Sequence, residues 1–394
     1  NATLHSPSIR NRVAFYHAAL FSPTITTWLH AHKNHYLDSW PALTPAQISK
    51  YGPLSRATIQ GHRHSHRSNI RSTKCVKTGP LPLTYTAAAN TETIMPDPNH
   101  LRTHNVYISE FAITGRTFSD QTGRFVCPSI SGNNYVFVLY NYDSNSIHPV
   151  AIPNRKKDSL LNAMKTVTTM LRRRGHKPIL HKMDNEISDL MRDHLLNEDI
   201  NFELTPAGLH RRNLAERAIQ TFKNHFIAGL CSTHPDFPLN LWDKLLPQCE
   251  ITLNLLRSSR MNPQLSAYSQ LHGPFRYNFT PLAPPGMKVL IYERPHERGS
   301  SWSPHNTEAW YIGPAMNHYR QHRVFVPSTG KERTADTVTW LPHQIHMPTA
   351  TAEDIIIAAA NDLTHALTQS DKSPLLPPHN THTRTALIKL HQIF

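Results

Sequence analysis

The sequence predicts an α/β chain built on a mixed five-stranded sheet with flanking helices, set between a small helical amino-terminal region and a small carboxy-terminal β-barrel. Three observations carry this. Between residues 105 and 230, three strand-like apolar runs follow one another and then give way to alternating helical and strand patterns. Before them, short helical stretches alternate with polar loops; after them, short apolar segments recur between turn signals.

Helices are expected at 13–20 and at 45–51, the second with Thr44 as N-cap and Pro45 at the first helical position. Phe15, Leu20, Phe21, Trp28 and Trp40 give this region enough apolar surface to pack on itself or on the rest of the chain. Residues 76–104 hold four prolines and no sustained period, as a linker does. Strands follow at 106–117, leading to Phe118-Ser119-Asp120, and then at 135–140 and 147–152. The next segment, from near Lys156, places Leu160, Met164, Val167 and Leu171 at helical steps and stops at Gly175 after three arginines, which complement a helix carboxyl end. A strand at 177–183 ends on Asp184, a helix covers 187–196, and a fifth strand covers 200–204. The helix at 213–230 sets Leu214, Ala218, Phe222 and Phe226 on one face, and a further helix at 239–256 is expected to kink at Pro247. Beyond Pro284-Pro285-Gly286, strands at 288–292, 310–312, 323–326 and 337–340 suggest the barrel, and one helix near 355–367 precedes a polar tail. The domains expected are a basic helical region (1–75), a linker (76–104), a core (105–260), a second linker (261–285), a small barrel (286–348) and a mostly disordered tail (349–394).

Composition bounds the partners. With 39% hydrophobic and 17% charged residues, the chain is neither a membrane protein nor a highly charged disordered one, and no apolar run approaches bilayer length. The net charge of +14 favours polyanions, and residues 1–80 hold ten Lys or Arg against one acid, Asp38, a balance of 10 − 1 = +9. A solvated basic tail is the competing reading of that surplus. The cysteines Cys75, Cys127, Cys231 and Cys249 form no metal or disulfide pattern, which fits an intracellular compartment. A first residue that is Asn1, with no signal-peptide pattern after it, reads as a piece of something longer.

Three acids fall at informative places: Asp120 after the first strand, Asp184 after the fourth, and Glu216 inside the third helix of the core. If the first and fourth strands are neighbours, both aspartates meet at their ends, and a helix packed on the sheet presents Glu216 to the same point. Convergent carboxylates need cations between them, and hard oxygen ligands suit Mg²⁺ or Mn²⁺, two of which support in-line attack at phosphorus. Taken singly, each acid reads better as a strand-end turn residue or a helix surface charge than as a catalytic group. Asp143, in a Tyr-Asp-Ser-Asn turn, and Glu186, two residues past Asp184, are nearby decoys. Asn213 shares the helix face of Glu216, Lys223 lies two turns beyond it, and Arg212 and Arg217 flank it; all four are candidate DNA contacts, although Asn213 reads equally as a first-turn helix residue and Lys223 as a solvated lysine. Trp302, Trp310 and Tyr311 would serve DNA stacking or the core of the small barrel.

The strand and helix order resembles the ribonuclease H-like core. More specifically, Ser119-Asp120-Gln121-Thr122-Gly123-Arg124-Phe125, Gly132-Asn133-Asn134-Tyr135 and Tyr142-Asp143-Ser144-Asn145 resemble the first block of copia-type retrotransposon integrases. Met183-Asp184-Asn185-Glu186 is similar to their second-aspartate motif, and His210-Arg211-Arg212-Asn213-Leu214-Ala215-Glu216-Arg217-Ala218 to their glutamate motif. The likeness runs on through Phe222-Lys223-Asn224-His225-Phe226, Thr252-Leu253-Asn254-Leu255-Leu256-Arg257 and Pro281-Leu282-Ala283-Pro284 to Trp310-Tyr311-Ile312-Gly313-Pro314. It implies a polyprotein-derived integrase whose triad Asp120, Asp184 and Glu216 holds two Mg²⁺ or Mn²⁺ ions. It also implies double-stranded DNA as partner, both element ends and target, a homo-oligomer, and a nuclear or virus-like-particle location. No membrane or small-molecule substrate is expected.

Two features depart from that family. From Asp184 to Glu216 there are 216 − 184 − 1 = 31 intervening residues, fewer than is usual, which a shortened helix would absorb. The amino-terminal His-His-Cys-Cys finger has no match; His62, His64 and His66 alternate, but a structural zinc site needs four ligands, so no zinc is expected. Two rival readings stand beside integration: an inactive nucleic-acid-binding remnant, and a ribonuclease H-type nuclease. The nuclease class draws another acid from the first core helix, where only Asp158 stands, at its very start.

Overall fold

Apolar runs build the central sheet, and helices cover both of its faces. The computed structural model describes residues 8–62, 113–183, 188–204, 214–298, 304–340, 356–357 and 359–360, all within one compact unit. The linker at 76–104, His64, His66, Cys75, Asp184, Glu186, Arg212, Asn213, Trp302 and nearly all of the expected tail lie outside the described residues.

Four helices come first: α1 (Ile9–Ala19), α2 (Ile25–Lys33), α3 (Pro45–Tyr51) and α4 (Arg56–His62). The Thr44 hydroxyl accepts from the Gln47 N–H while the Gln47 side chain accepts from the Thr44 N–H, a capping box that fixes the start of α3. The central sheet follows as β1 (Arg116–Gln121), β2 (Tyr135–Asn141) and β3 (Ser146–Ile152), then α5 (Lys157–Arg173), β4 (Leu180–Met183), α6 (Asp189–Asn197), β5 (Asn201–Leu204) and α7 (Leu214–Leu230). Strand order is β3-β2-β1-β4-β5; β1, β2 and β3 pair antiparallel, and β4 and β5 extend the sheet in parallel from β1. This is a mixed five-stranded α/β sheet flanked by helices, consistent with the ribonuclease H-like core that the element order resembles.

Each face has its own core. Phe118, Val138 and Tyr140 bury against Ala215, Ala218 and Phe222 of α7 on one side. On the other, Phe137 and Leu139 bury against Met164, Val167 and Leu171 of α5 and Leu195 of α6. Arg172 pairs with the Glu198 carboxylate and carbonyl, joining the end of α5 to the end of α6.

Several boundaries differ from expectation. Asp120 lies inside β1, not after it, because the pairing with β2 continues to Gln121↔Phe137. The single helix expected at 239–256 is a 3-10 segment, Leu239–Leu245, followed by α8 (Leu246–Leu255). Pro247 therefore stands in the first turn of α8, where its missing N–H costs no bond, and it does not kink a longer helix. A short α9 (Ala267–His272), capped by Ser266, was not foreseen.

The second sheet comprises β6 (Lys288–Tyr292), β7 (Asn306–Pro314), β8 (His322–Val326), β9 (Lys331–Ala335) and β10 (Val338–Trp340). It is wholly antiparallel, in the order β10-β6-β7-β8-β9. Of the aromatic residues weighed there for stacking on DNA, Trp310 and Tyr311 are buried, so their rings belong to the core.

The amino-terminal helices pack on the rest of the chain. Tyr16, Trp28 and Leu37 share a core with Ile251 and Leu255 of α8 and with Tyr277. At α7 the fit requires glycine: a Cβ on Gly229 would lie 1.9 Å from Cδ1 of Phe21.

Candidate active site

A carboxylate on a strand faces whichever side its neighbours two residues away face. Phe118 is buried among the residues that meet α7, and Val138, directly opposite Asp120, is buried with it. Asp120 therefore belongs to the face of the sheet that α7 covers. Its Oδ1 accepts from the Gln121 N–H at 2.7 Å, and its side chain is half-buried.

Helix α7 packs on that face and carries Glu216 in its first turn. Ala215 is fully buried in the same cluster as Phe118 and Val138, and Glu216 follows it in the first turn, exposed. Lys223 is also exposed and lies seven residues further along, so it shares the stripe of Glu216 about 10 Å up the axis. Arg217 is exposed on a neighbouring stripe. Among the described residues, no ion pair occupies Glu216, Arg217 or Lys223, and no group of three His, Cys, Asp or Glu side chains is gathered as metal ligands.

Strand β4 lies parallel to β1, with Phe118 opposite Lys182, and Met183 is its last described residue. The two strands are locked by a buried imidazole. One ring nitrogen of His181 is 2.8 Å from Thr117 Oγ1 and the other is 2.9 Å from Ser119 Oγ, so the neutral ring donates to one hydroxyl and accepts from the other. Burial pushes the His181 pKa down to about 3, which keeps the ring uncharged. Sequence reasoning missed this strut, because a histidine inside a strand pattern carries no sign of its cross-strand partners.

On the α5 face of the sheet, opposite α7, a cleft of ≈ 500 Å³ opens at the end of β1, with Phe137, Leu160, Met183 and Met191 as its apolar lining, Arg155, Lys156 and Lys157 among its other walls, and Asp120 on its rim. The basic side chains at 155–157 were also missed; they read as an ordinary helix start.

The decoy at Asp143 is structural. Its carboxylate is buried and accepts from the Thr114 N–H, the Thr114 hydroxyl and the Gly115 N–H at 3.1, 2.7 and 2.7 Å, fixing the chain that enters β1. Asn145 completes that turn with φ 58°, a conformation that asparagine tolerates.

No protein-family model matches the chain, and no curated protein matches it. Solved structures that resemble it include the HTLV-2 integrase catalytic core domain in complex with magnesium, at 18% identity and TM-score 0.30, covering 40% of this chain and 95% of that one. The catalytic core domain of BIV integrase follows at 13% identity and TM-score 0.30, covering 40% and 93%. An intasome of simian T-cell lymphotropic virus gives 11% identity and TM-score 0.27, covering 60% and 84%. At scores this low the likeness carries no argument about fold or activity. Among the described residues, no helix is long and apolar enough to cross a membrane.

Proposed function

We propose that the chain is a polynucleotidyl transferase of the retrotransposon integrase kind, with Asp120, Asp184 and Glu216 as its catalytic carboxylates. The observation that carries the reading is the common face of Asp120 and the first turn of α7, which holds Glu216. Register supports the third member: β1 and β4 pair residues 64 positions apart, and 64 positions separate Asp120 from Asp184.

The donors are hard carboxylate oxygens, which fit Mg²⁺ or Mn²⁺. When bound, two such ions would supply the positive charge that activates an attacking oxygen and steadies the leaving one during in-line displacement at phosphorus. The chain's own residues then have distinct work. The His181 strut holds β1 against β4 so that the carboxylates keep their separation. Lys223, with Arg212, Asn213 and Arg217, grips backbone phosphates, giving contacts that position DNA without reading its bases. A water is first used to cut near the 3′ end of the element's DNA, and the freed 3′ hydroxyl next attacks a phosphodiester of the target. Both are displacements at phosphorus, so one triad serves both.

On this reading residues 105–260 are the catalytic core, 286–348 a small accessory domain for DNA, and the working form a homo-oligomer derived from a polyprotein. The test uses the full chain with Mg²⁺ or Mn²⁺ and measures joining of a labelled oligonucleotide end to a second duplex. Wild type is expected to join, and Asp120→Asn, Asp184→Asn and Glu216→Gln each to abolish joining with the unfolding midpoint preserved. Full activity in any one variant removes that residue from the site.

A further inference from the structure

We infer that the cleft beside Asp120 is a groove for the phosphodiester backbone of a DNA strand, gripped by Arg155, Lys156 and Lys157. This rests on the proposed role of Asp120 and adds to it a bank of cations that no part of that reading uses. The three side chains are consecutive and exposed, and the ≈ 500 Å³ cleft that they line lies on the α5 face of the sheet, opposite the face that α7 covers, with Asp120 on its rim at the end of β1.

Arg155 is the organised member of the three. Its guanidinium donates to the Thr122 carbonyl at 2.7 Å and lies over the Tyr135 ring, 4.9 Å from the centroid. Thr122 follows β1 directly, so the guanidinium is tied to the segment that leaves Asp120. A guanidinium carries five N–H donors in a planar fork, and one contact with a carbonyl leaves the others to meet a phosphate. Among the described residues no carboxylate pairs with Lys156 or Lys157, and Asp158 is the one acid in the run of five from 154 to 158. The apolar lining from Phe137, Leu160, Met183 and Met191 suits the sugar face of a strand whose phosphates meet the cations. A small anionic metabolite would leave that lining unused, so an extended polyanion is the better match.

The test is equilibrium binding of a labelled duplex oligonucleotide to the full chain in EDTA, where no turnover occurs, across a salt series. Each phosphate contact contributes about 0.9 to the slope of log affinity against log salt. Lys156→Gln/Lys157→Gln should therefore lower the slope by about 2, and Arg155→Gln by about 1. Lys156→Arg/Lys157→Arg should keep the slope, and Arg276→Gln, exposed and outside both the core and the accessory domain, should leave it unchanged. An unaltered slope in the Lys156→Gln/Lys157→Gln protein, or an equal loss in Arg276→Gln, overturns the inference. If Arg155→Gln lowers the unfolding midpoint, the lysine pair alone decides. Absence of metal-dependent joining in wild type would sink the proposed function and leave the groove to be judged by the slopes.

Discussion

Replacing His181 with alanine takes its ring partner from each of two almost wholly buried hydroxyls. Thr117, Ser119 and His181 are 0%, 3% and 0% exposed, and the ring spans them at 2.8 and 2.9 Å. Each of the two stranded hydroxyls costs about 1–3 kcal/mol, and the space left by the ring adds roughly 1–2 kcal/mol, giving a loss of about 3–8 kcal/mol. That is a large share of a typical domain stability of about 5–15 kcal/mol. Urea unfolding, read as a change in midpoint at constant slope, measures it. A sharper comparison is Thr117→Val/Ser119→Ala/His181→Leu, which removes the polar groups together with their need for partners. This triple variant should lie within about 2 kcal/mol of wild type, because apolar replacement of every partner is far cheaper than stranding one. A loss below about 1 kcal/mol for His181→Ala, or a triple variant less stable than the single one, would refute the strut.

Other expectations concern pH and packing. Burial lowers the pKa of His17 to about 4 and that of His181 and His225 to about 3. The unfolded chain then binds more protons than the folded one below the ordinary value of 6.5. Stability is whole above that pH and falls as pH drops through 4 towards 3, each ring adding a slope of up to about 1.4 kcal/mol per pH unit. Urea midpoints that stay flat from pH 7 to pH 4.5 would contradict this. Gly229→Ala, which in a free helix gains about 1 kcal/mol, should here lose about 1–3 kcal/mol, because the new methyl meets Phe21 at 1.9 Å; a rise in the thermal midpoint would show that Phe21 is not packed there. Partial burial raises the Glu332 pKa, but hydrogen bonds from Arg323 and Lys244 outweigh it and hold the group below its ordinary value. Its contribution is present above that value and lost as pH falls through it, and Glu332→Gln should cost no more than about 1 kcal/mol at pH 7. A loss of several kcal/mol in urea unfolding would mean that the three groups act as a buried network.

The central sheet was legible because its signals are local and repeated. Apolar runs at β2 and β3 and the helical spacing of Leu160, Met164, Val167 and Leu171 can be read in windows of ten to twenty residues. Where two elements share one sequence pattern, the reading failed: the 3-10 segment and α8 have the same apolar density, and only backbone pairing separates them. Strand β9, Lys331–Ala335, was missed because it is polar and mostly exposed, held by its ladder with β8 rather than by burial. Asp120 and Glu216 were singled out by their places in the element order and by resemblance, whereas the acids taken singly read better as turn or surface residues. The His181 strut and the Arg155 clamp had no sequence signal, since each depends on a partner brought close only by folding: Thr117 and Ser119, 64 and 62 residues away, and Thr122, 33 residues away.

Three carboxylates sharing one metal site are the centre of the proposed function, and backbone cleavage by bound Fe²⁺ tests that most directly. Fe²⁺ exchanged into the full chain and treated with ascorbate generates hydroxyl radicals that cut the peptide backbone near the metal. Fragments ending close to Asp120, Asp184 and Glu216 together, suppressed by excess Mg²⁺ and lost in Asp120→Asn, are the expected result. Cuts near only one of the three, or a pattern unchanged by Asp120→Asn, would mean that these acids do not share a metal site.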